Sequence, residues 1–149
     1  MRLLLDENVP RPLHQVLTSF VLNHDIVHLL DLPGWAGTRD ETLYPRAAAE
    51  GFHVVLTNDA RQMQRPREVA AVAASGLHRV EYPHKHPGLV GMGVAIATVA
   101  AGLPSALALL EKSSGPRLIT LRGVDPTVAS RLRVIDPALN SPKFWPTSS

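Results

Sequence analysis

Leu3-Leu4-Leu5-Asp6-Glu7-Asn8 and Val54-Val55-Leu56-Thr57-Asn58-Asp59 are two short apolar runs that each break off into polar and acidic residues. Short apolar runs bounded by turn signals read as strands buried on both faces. Such strands belong to parallel sheets covered by helices on either side. The segments around them fit. Pro10 and Pro12 open a helix with Leu13, Val16, Leu17 and Phe20 on one face. Residues 25–30 read as a second strand. Residues 31–38, with Pro33, Gly34 and Gly37, are a loop. A helix starts at residues 38–41, with Thr38 as N-cap and Glu41 closing a capping box, and ends at Gly51. Residues 53–57 are the third strand, 67–75 a helix and 77–82 the fourth strand. Residues 89–101 and 105–112 read as two helices split at Gly102-Leu103-Pro104. Residues 117–122 are a fifth strand and 131–136 a further one. The alternation of strand and helix predicts an α/β sandwich on a mostly parallel sheet of about five strands. One domain over residues 1–139 is expected, with 140–149 as a tail.

The 149 residues are 45% apolar and 19% charged, too apolar and too weakly charged for a disordered chain. There is no cysteine, which excludes disulfide scaffolds, thiolate metal sites and cysteine nucleophiles. Charge is uneven. Residues 1–75 hold seven Lys/Arg against nine Asp/Glu, and residues 76–149 hold eight against four. An acidic half can hold a cation while a basic half attracts a polyanion. The apolar start of the chain stops at Asp6, too soon for a secretory signal. Residues 86–110 carry no charged side chain and are long enough to span a bilayer. Four glycines, Pro104 and much alanine favour a core helix instead, so no membrane association is expected. The expected location is the cytoplasm.

Ligands of parallel sheets bind beyond the carboxyl ends of the strands. Asp6 and Asp59 follow two of these ends, and the turn before the helix that starts with Asp40-Glu41 comes to the same edge. Clustered carboxylates repel one another unless a cation joins them. An oxygen-only set suits Mg²⁺ or Mn²⁺, which can activate water against a phosphodiester. Each acid has an ordinary alternative. Asp6 or Asn8 could cap the following helix, Asp40 could complement a helix dipole, and Asp59 could be a turn residue. Their matching positions favour a metal site at Asp6, Asp40 and Asp59. Arg61, Arg65 and Arg67 follow directly and could hold phosphates. Trp35 could stack on a base or pack under its Gly-rich loop, and packing is the favoured reading.

The order and spacing of Leu-Leu-Asp-Glu-Asn at 4–8, Gly-Trp-x-Gly-x-x-Asp-Glu-x-Leu at 34–43, Gly-Phe-x-Val-Val-Leu-Thr-Asn-Asp at 51–59 and Arg-Pro at 65–66 resemble the PIN-like domains, including those of VapC-type toxins and Mut7-C nucleases. The resemblance covers residues 2–82 well and extends loosely to the strand at 117–122. It implies a three-layer α/β/α sandwich and a Mg²⁺- or Mn²⁺-dependent endoribonuclease, often the toxin of a toxin–antitoxin pair. The family's acids fall on Asp6, Asp40 and Asp59. Glu41, Asn8, Thr57 and Asn58 support them, and Arg61, Arg65 and Arg67 contact substrate. Expected partners are RNA and an antitoxin protein, with a homodimer allowed. Many relatives read Thr-x-Asp-x-Asp where this chain has Thr57-Asn58-Asp59-Ala60-Arg61, so the fourth acid is replaced by Arg61.

That replacement keeps a second function in view, a catalytically weakened PIN-like module that binds RNA or a protein. A phosphoacceptor receiver would need Ser/Thr after strand four and Lys after strand five, and neither is present. His84-x-His86 is too sparse for zinc. His14, His24, His28, His53 and His78 read as scattered surface or edge residues.

Overall fold

A computed structural model describes residues 1–146, so the last three positions of the expected tail lie outside the described residues. Five strands, β1 (Arg2–Leu5), β2 (Asp25–His28), β3 (Val54–Thr57), β4 (His78–Glu81) and β5 (Leu118–Thr120), form one sheet in the order β2-β1-β3-β4-β5. Every pairing is parallel. The helices are α1 (Arg11–Phe20), α2 (Asp40–Ala49), α3 (Pro66–Ser75), α4 (Gly88–Glu111) and the short α5 (Val128–Arg131).

The two faces of the sheet bury separate cores. Leu3, Leu5, Val54, Leu56 and Val80 point into a cluster shared with α1 and α4. Leu4 and Val55 point the other way, into a cluster with Leu43, Tyr44 and Ala47 of α2 and Val72 of α3. Side chains alternate across a strand, so one tripeptide such as Leu3-Leu4-Leu5 serves both layers. This is a three-layer α/β/α sandwich. Trp35 is buried in the second cluster, edge-on to Phe52, with Arg46 stacked over its ring at 4.1 Å.

Several local expectations are corrected. Thr38 is not the N-cap of α2. Its hydroxyl donates to the Trp35 carbonyl inside the loop, and Arg39 takes the cap position with no side-chain bond. The second strand stops at His28, and Leu29–Asp31 forms a 3-10 turn. His28 is fully buried, not at the surface. Its ring meets the Val9 carbonyl through Nε2 and the Leu30 N–H through Nδ1, so Nε2 carries the proton and donates. Burial lowers its pKa. Residues 131–136 form no strand. They are exposed, and among the described residues beyond Val124 only Pro137 is partly covered.

The two expected helices at 89–101 and 105–112 are one continuous helix through Pro104. Pro104 is exposed, and buried Val99, Leu103, Ala106, Leu107 and Leu110 clamp the helix to the sheet on both sides of it. Tertiary packing outweighs the missing donor. Helix α4 is long and apolar enough to cross a membrane, yet its buried face packs on the sheet. Gly91 permits its first turn to fold under the preceding loop, because a Cβ there would overlap the His86 carbonyl. A Cβ at Gly93 meets nothing within 4 Å. Gly91→Ala is expected to destabilise the fold by about 2–3 kcal/mol through forced backbone displacement. Gly93→Ala should stabilise it by roughly 0.5–1 kcal/mol through helix propensity. Urea unfolding of both variants checks the pair.

Candidate functional site

The strand order reverses direction between β1 and β3, the place where doubly wound sheets bind ligands beyond the carboxyl ends. Asp6 leaves β1 there, and its N–H donates to the Leu56 carbonyl at 2.9 Å, extending the ladder by one residue. Its side chain points to the same face as Leu4, toward α2 and α3. Only 7% of Asp6 is exposed. Oδ1 accepts from the Glu7 N–H at 2.7 Å, and Oδ2 accepts from the Thr57 hydroxyl at 2.9 Å. The same hydroxyl accepts from the Asp59 N–H at 3.0 Å. Thr57 therefore joins the ends of the two strands through one oxygen. Asp59 caps the following 3-10 turn, Ala60–Gln64, by accepting from the Arg61 N–H.

Asp40 arrives as the first residue of α2 and Glu68 in the first turn of α3. Helix N-termini favour negative charge, so both positions suit an acid. A single atom shows how close these groups are. Arg65 Nη1 lies 3.0 and 3.1 Å from the two oxygens of Glu68, 3.8 Å from Asp40 Oδ2 and 3.9 Å from Asp59 Oδ2. The acids feel one another. Burial, followed by the charges of Asp6, Glu68 and Asp59, raises the pKa of Asp40, opposed by Gln62. Burial also raises that of Asp6, with its two hydrogen bonds opposing and the charges of Asp59 and Glu7 adding.

Beneath the acids lies a buried polar network. Arg79, in the middle of β4, is 2% exposed. It donates through Nη2 to the Asp59 carbonyl at 2.8 Å, through Nε to Gln62 Oε1 at 3.0 Å and through Nη1 to Glu81 at 3.2 Å. The Tyr44 hydroxyl donates to the same Gln62 oxygen at 2.7 Å. Arg79 thus holds the cap and the middle of the 3-10 turn that follows Asp59.

The structure brings Asp6, Asp40 and Asp59 to one edge, with Thr57 between two of them. Asn58 donates to the Asn8 carbonyl at 3.3 Å and to the Tyr82 hydroxyl at 3.4 Å, tying the loops after β1, β3 and β4. Glu41 and the Asn8 residue are exposed beside this edge. Arg61 and Arg67 are exposed, whereas the Arg65 guanidinium is turned onto the acids. Among the described residues, no three His, Asp or Glu side chains stand close enough to hold one ion directly in this arrangement. The donor set itself is all oxygen, crowded, and partly neutralised by one guanidinium, which fits a hydrated hard cation once Arg65 turns away. Glu68, Gln62, Tyr44 and Arg79 were not singled out in the sequence. The available signals were an arginine inside an apolar strand run, with an acid two residues on along the same strand face, and Arg65-x-x-Glu68 at helical spacing.

The fold and this edge define a class, that of α/β proteins with an acidic centre at the switch point of a parallel sheet. The chain belongs to the PIN-like domain family, whose profile it matches over residues 1–81. No curated protein and no solved structure matches it significantly. The matched span carries Asp6, Asp40, Asp59, Arg65 and Glu68 and stops at the end of β4. PIN-like domains are generally nucleases and typically use divalent metals.

Raised carboxyl pKa values carry a sign for stability. Folding disfavours the ionised form of Asp6, so that charge costs stability above the folded pKa, and the cost disappears as pH falls through it toward the unfolded value. Asp6→Asn is expected to remove this pH dependence: the metal-free melting temperature of the wild-type chain, relative to that of the variant, should rise as pH falls from 7 toward about 4, near the ordinary aspartate value. Thermal melts of both chains across this range, in EDTA, provide the check.

Proposed function

We propose that this protein is a Mg²⁺- or Mn²⁺-dependent endoribonuclease and the toxin of a toxin–antitoxin pair. The observation that carries the reading is the gathering of Asp6, Asp40 and Asp59 at one edge from three separate elements, with the Arg65 guanidinium set against Asp40 and Asp59. Burial works against the ionised forms of Asp6 and Asp40, and acids kept at such a cost are the expected signature of a site kept for chemistry.

Asp6, Asp40 and Asp59 would hold the ion through oxygen and bound water. A bound Mg²⁺ or Mn²⁺ supplies a more acidic water and charge stabilisation at the phosphate. Thr57 keeps the Asp6 carboxylate oriented, and Arg79 keeps the Asp59 backbone in place. Phosphates of the RNA would reach the centre along a cleft of about 450 Å³ at the ends of β3, β4 and β5. Asn58, Tyr82, His84, Lys85 and Arg122 line it, so its two cationic side chains stand beside the acidic edge. Arg61 and Arg67, exposed in the segment that follows Asp59, are proposed to add phosphate contacts. Hydrolysis then joins a water oxygen to phosphorus and breaks one P–O bond of the chain.

The same reading makes the cytoplasm the working compartment and an antitoxin or second copy the protein partner. Exposed apolar side chains between Val128 and Trp145 support a protein contact. A second reading, an RNA- or protein-binding module with a weakened centre, is favoured by Arg61 in place of an acid and by Arg65 occupying the cluster.

One labelled RNA separates these readings. The chain should cleave it with Mn²⁺ and not with EDTA, and Asp6→Asn should reduce cleavage by at least about 100-fold while RNA affinity changes little. Lys85→Ala and Arg122→Ala should do the opposite, each lowering affinity and reducing the salt slope by about one. Growth arrest on expression, lost with Asp6→Asn, would mark a toxin. Binding without cleavage would select the second reading, and cleavage that survives EDTA or Asp6→Asn would sink the first.

A further inference from the structure

The loop after β3 lacks a fourth acid, yet Glu68 brings one from α3. Its side chain is only 13% exposed. Both of its oxygens accept from Arg65 Nη1, the atom that also faces Asp40 and Asp59. Glu81, the other acid at this edge, is different. It is neutralised by the buried Arg79 and belongs to the supporting network.

Gln62 supplies an independent observation. Its side chain is fully buried, and Oε1 accepts from both Tyr44 and Arg79. A guanidinium has only donors, so the amide oxygen must face Arg79 and Nε2 must face away. On that side lies the Asp40 carboxylate. Nε2 nevertheless has no hydrogen-bond partner in this arrangement. A buried donor left unpaired at an acidic centre is costly, and it marks a place prepared for an oxygen. Asp40, turned off Arg65, would supply that oxygen.

We propose that Glu68 is the fourth carboxylate of the metal centre and that Arg65 is a tethered counter-cation, exchanged for the divalent ion when the centre loads. The inference rests on the metal-dependent reading of this site. Arg65 is suited to leave. Its side chain is 48% exposed, and its extended backbone joins the 3-10 turn to α3, so the guanidinium can swing out without moving Asp59 or Glu68. The exchange replaces one delocalised charge by two concentrated ones, which four clustered carboxylates favour. Release of Asp40 from Arg65 then lets it take the Gln62 N–H, the kind of supporting bond that orients a ligand.

Mn²⁺ binding to the full chain without RNA, followed by the electron paramagnetic resonance of free Mn²⁺, tests the proposal. Arg65→Gln should tighten binding about three- to tenfold, and Glu68→Gln should weaken it about tenfold, with Glu68→Asp keeping most of the affinity. The double variant decides Glu68's role. If Glu68 only tethers Arg65, removing it after Arg65 is gone changes nothing, whereas a ligand's loss leaves the double variant about tenfold weaker than Arg65→Gln. Equal affinities of those two variants overturn the assignment of Glu68. Unchanged or weaker binding by Arg65→Gln overturns the counter-cation. Asp40→Asn separates the levels. If it abolishes binding while the Glu68 variants bind normally, the proposal fails and the metal centre stands. A wild-type chain that binds no Mn²⁺ overturns both.

Discussion

The register between β1 and β3 is the constraint on which the site depends. Leu5 stands opposite Leu56, which puts Asp6 beside Thr57 and lets one hydroxyl bond to Asp6 while accepting from the Asp59 N–H. A slip of one residue would turn Asp6 to the α1/α4 face and expel Leu4 from its own cluster. The register is held because Leu3-Leu4-Leu5 and Val54-Val55-Leu56 are buried on both faces, so each single-residue slip exchanges two well-packed layers at once. Hydrophobic packing thereby sets the position of a charge that packing alone would exclude.

That charge is held by the Thr57 hydroxyl and the Glu7 N–H, and an opposite charge is buried beneath the same edge for another purpose. Arg79 is covered almost completely, and its donors are spent on Glu81, Gln62 and the Asp59 backbone. A buried guanidinium without such partners would be strongly destabilising, so the network is held together by its own need for satisfaction. The result is a rigid floor under the loop that carries Asp59. Above that floor stand the acids, with Arg65 the exposed and replaceable part of the charge balance. Rigid support below and a movable cation above are what a centre needs if it must remain folded when empty and bind an ion when loaded.

The division of labour along the chain follows from this. Membership of the PIN-like family is carried by residues 1–81, which contain the acids and the helices that bring Asp40 and Glu68. The remainder closes the fold. Helix α4 covers one face of the sheet, and β5 extends its edge beside the Lys85 and Arg122 cleft. Two basic residues of this second half, Lys85 and Arg122, thus come to lie next to the acidic centre of the first.

Strands and helices in the first half were legible because their signals are local. The apolar runs end in acids, Pro10 and Pro66 sit at helix starts, and Gly51 and Gly76 follow helix ends with positive φ. Positions after strand ends also placed Asp6, Asp40 and Asp59 on one edge, because parallel strands carry their carboxyl ends together. What local signals could not supply was decided by tertiary contacts. Helix α4 runs through Pro104 because the sheet grips it on both sides. His28 is buried because its two nitrogens are claimed by Val9 and Leu30. Arg65 reads as a phosphate-binding arginine in a basic run, and only the folding of α2 and α3 beside the β3 loop gives its guanidinium three carboxylates to face. Sequence determined which residues were acids and on which edge they would lie. The fold determined which cation stands among them, because Coulomb interactions depend on distances through space that spacing along the chain does not contain.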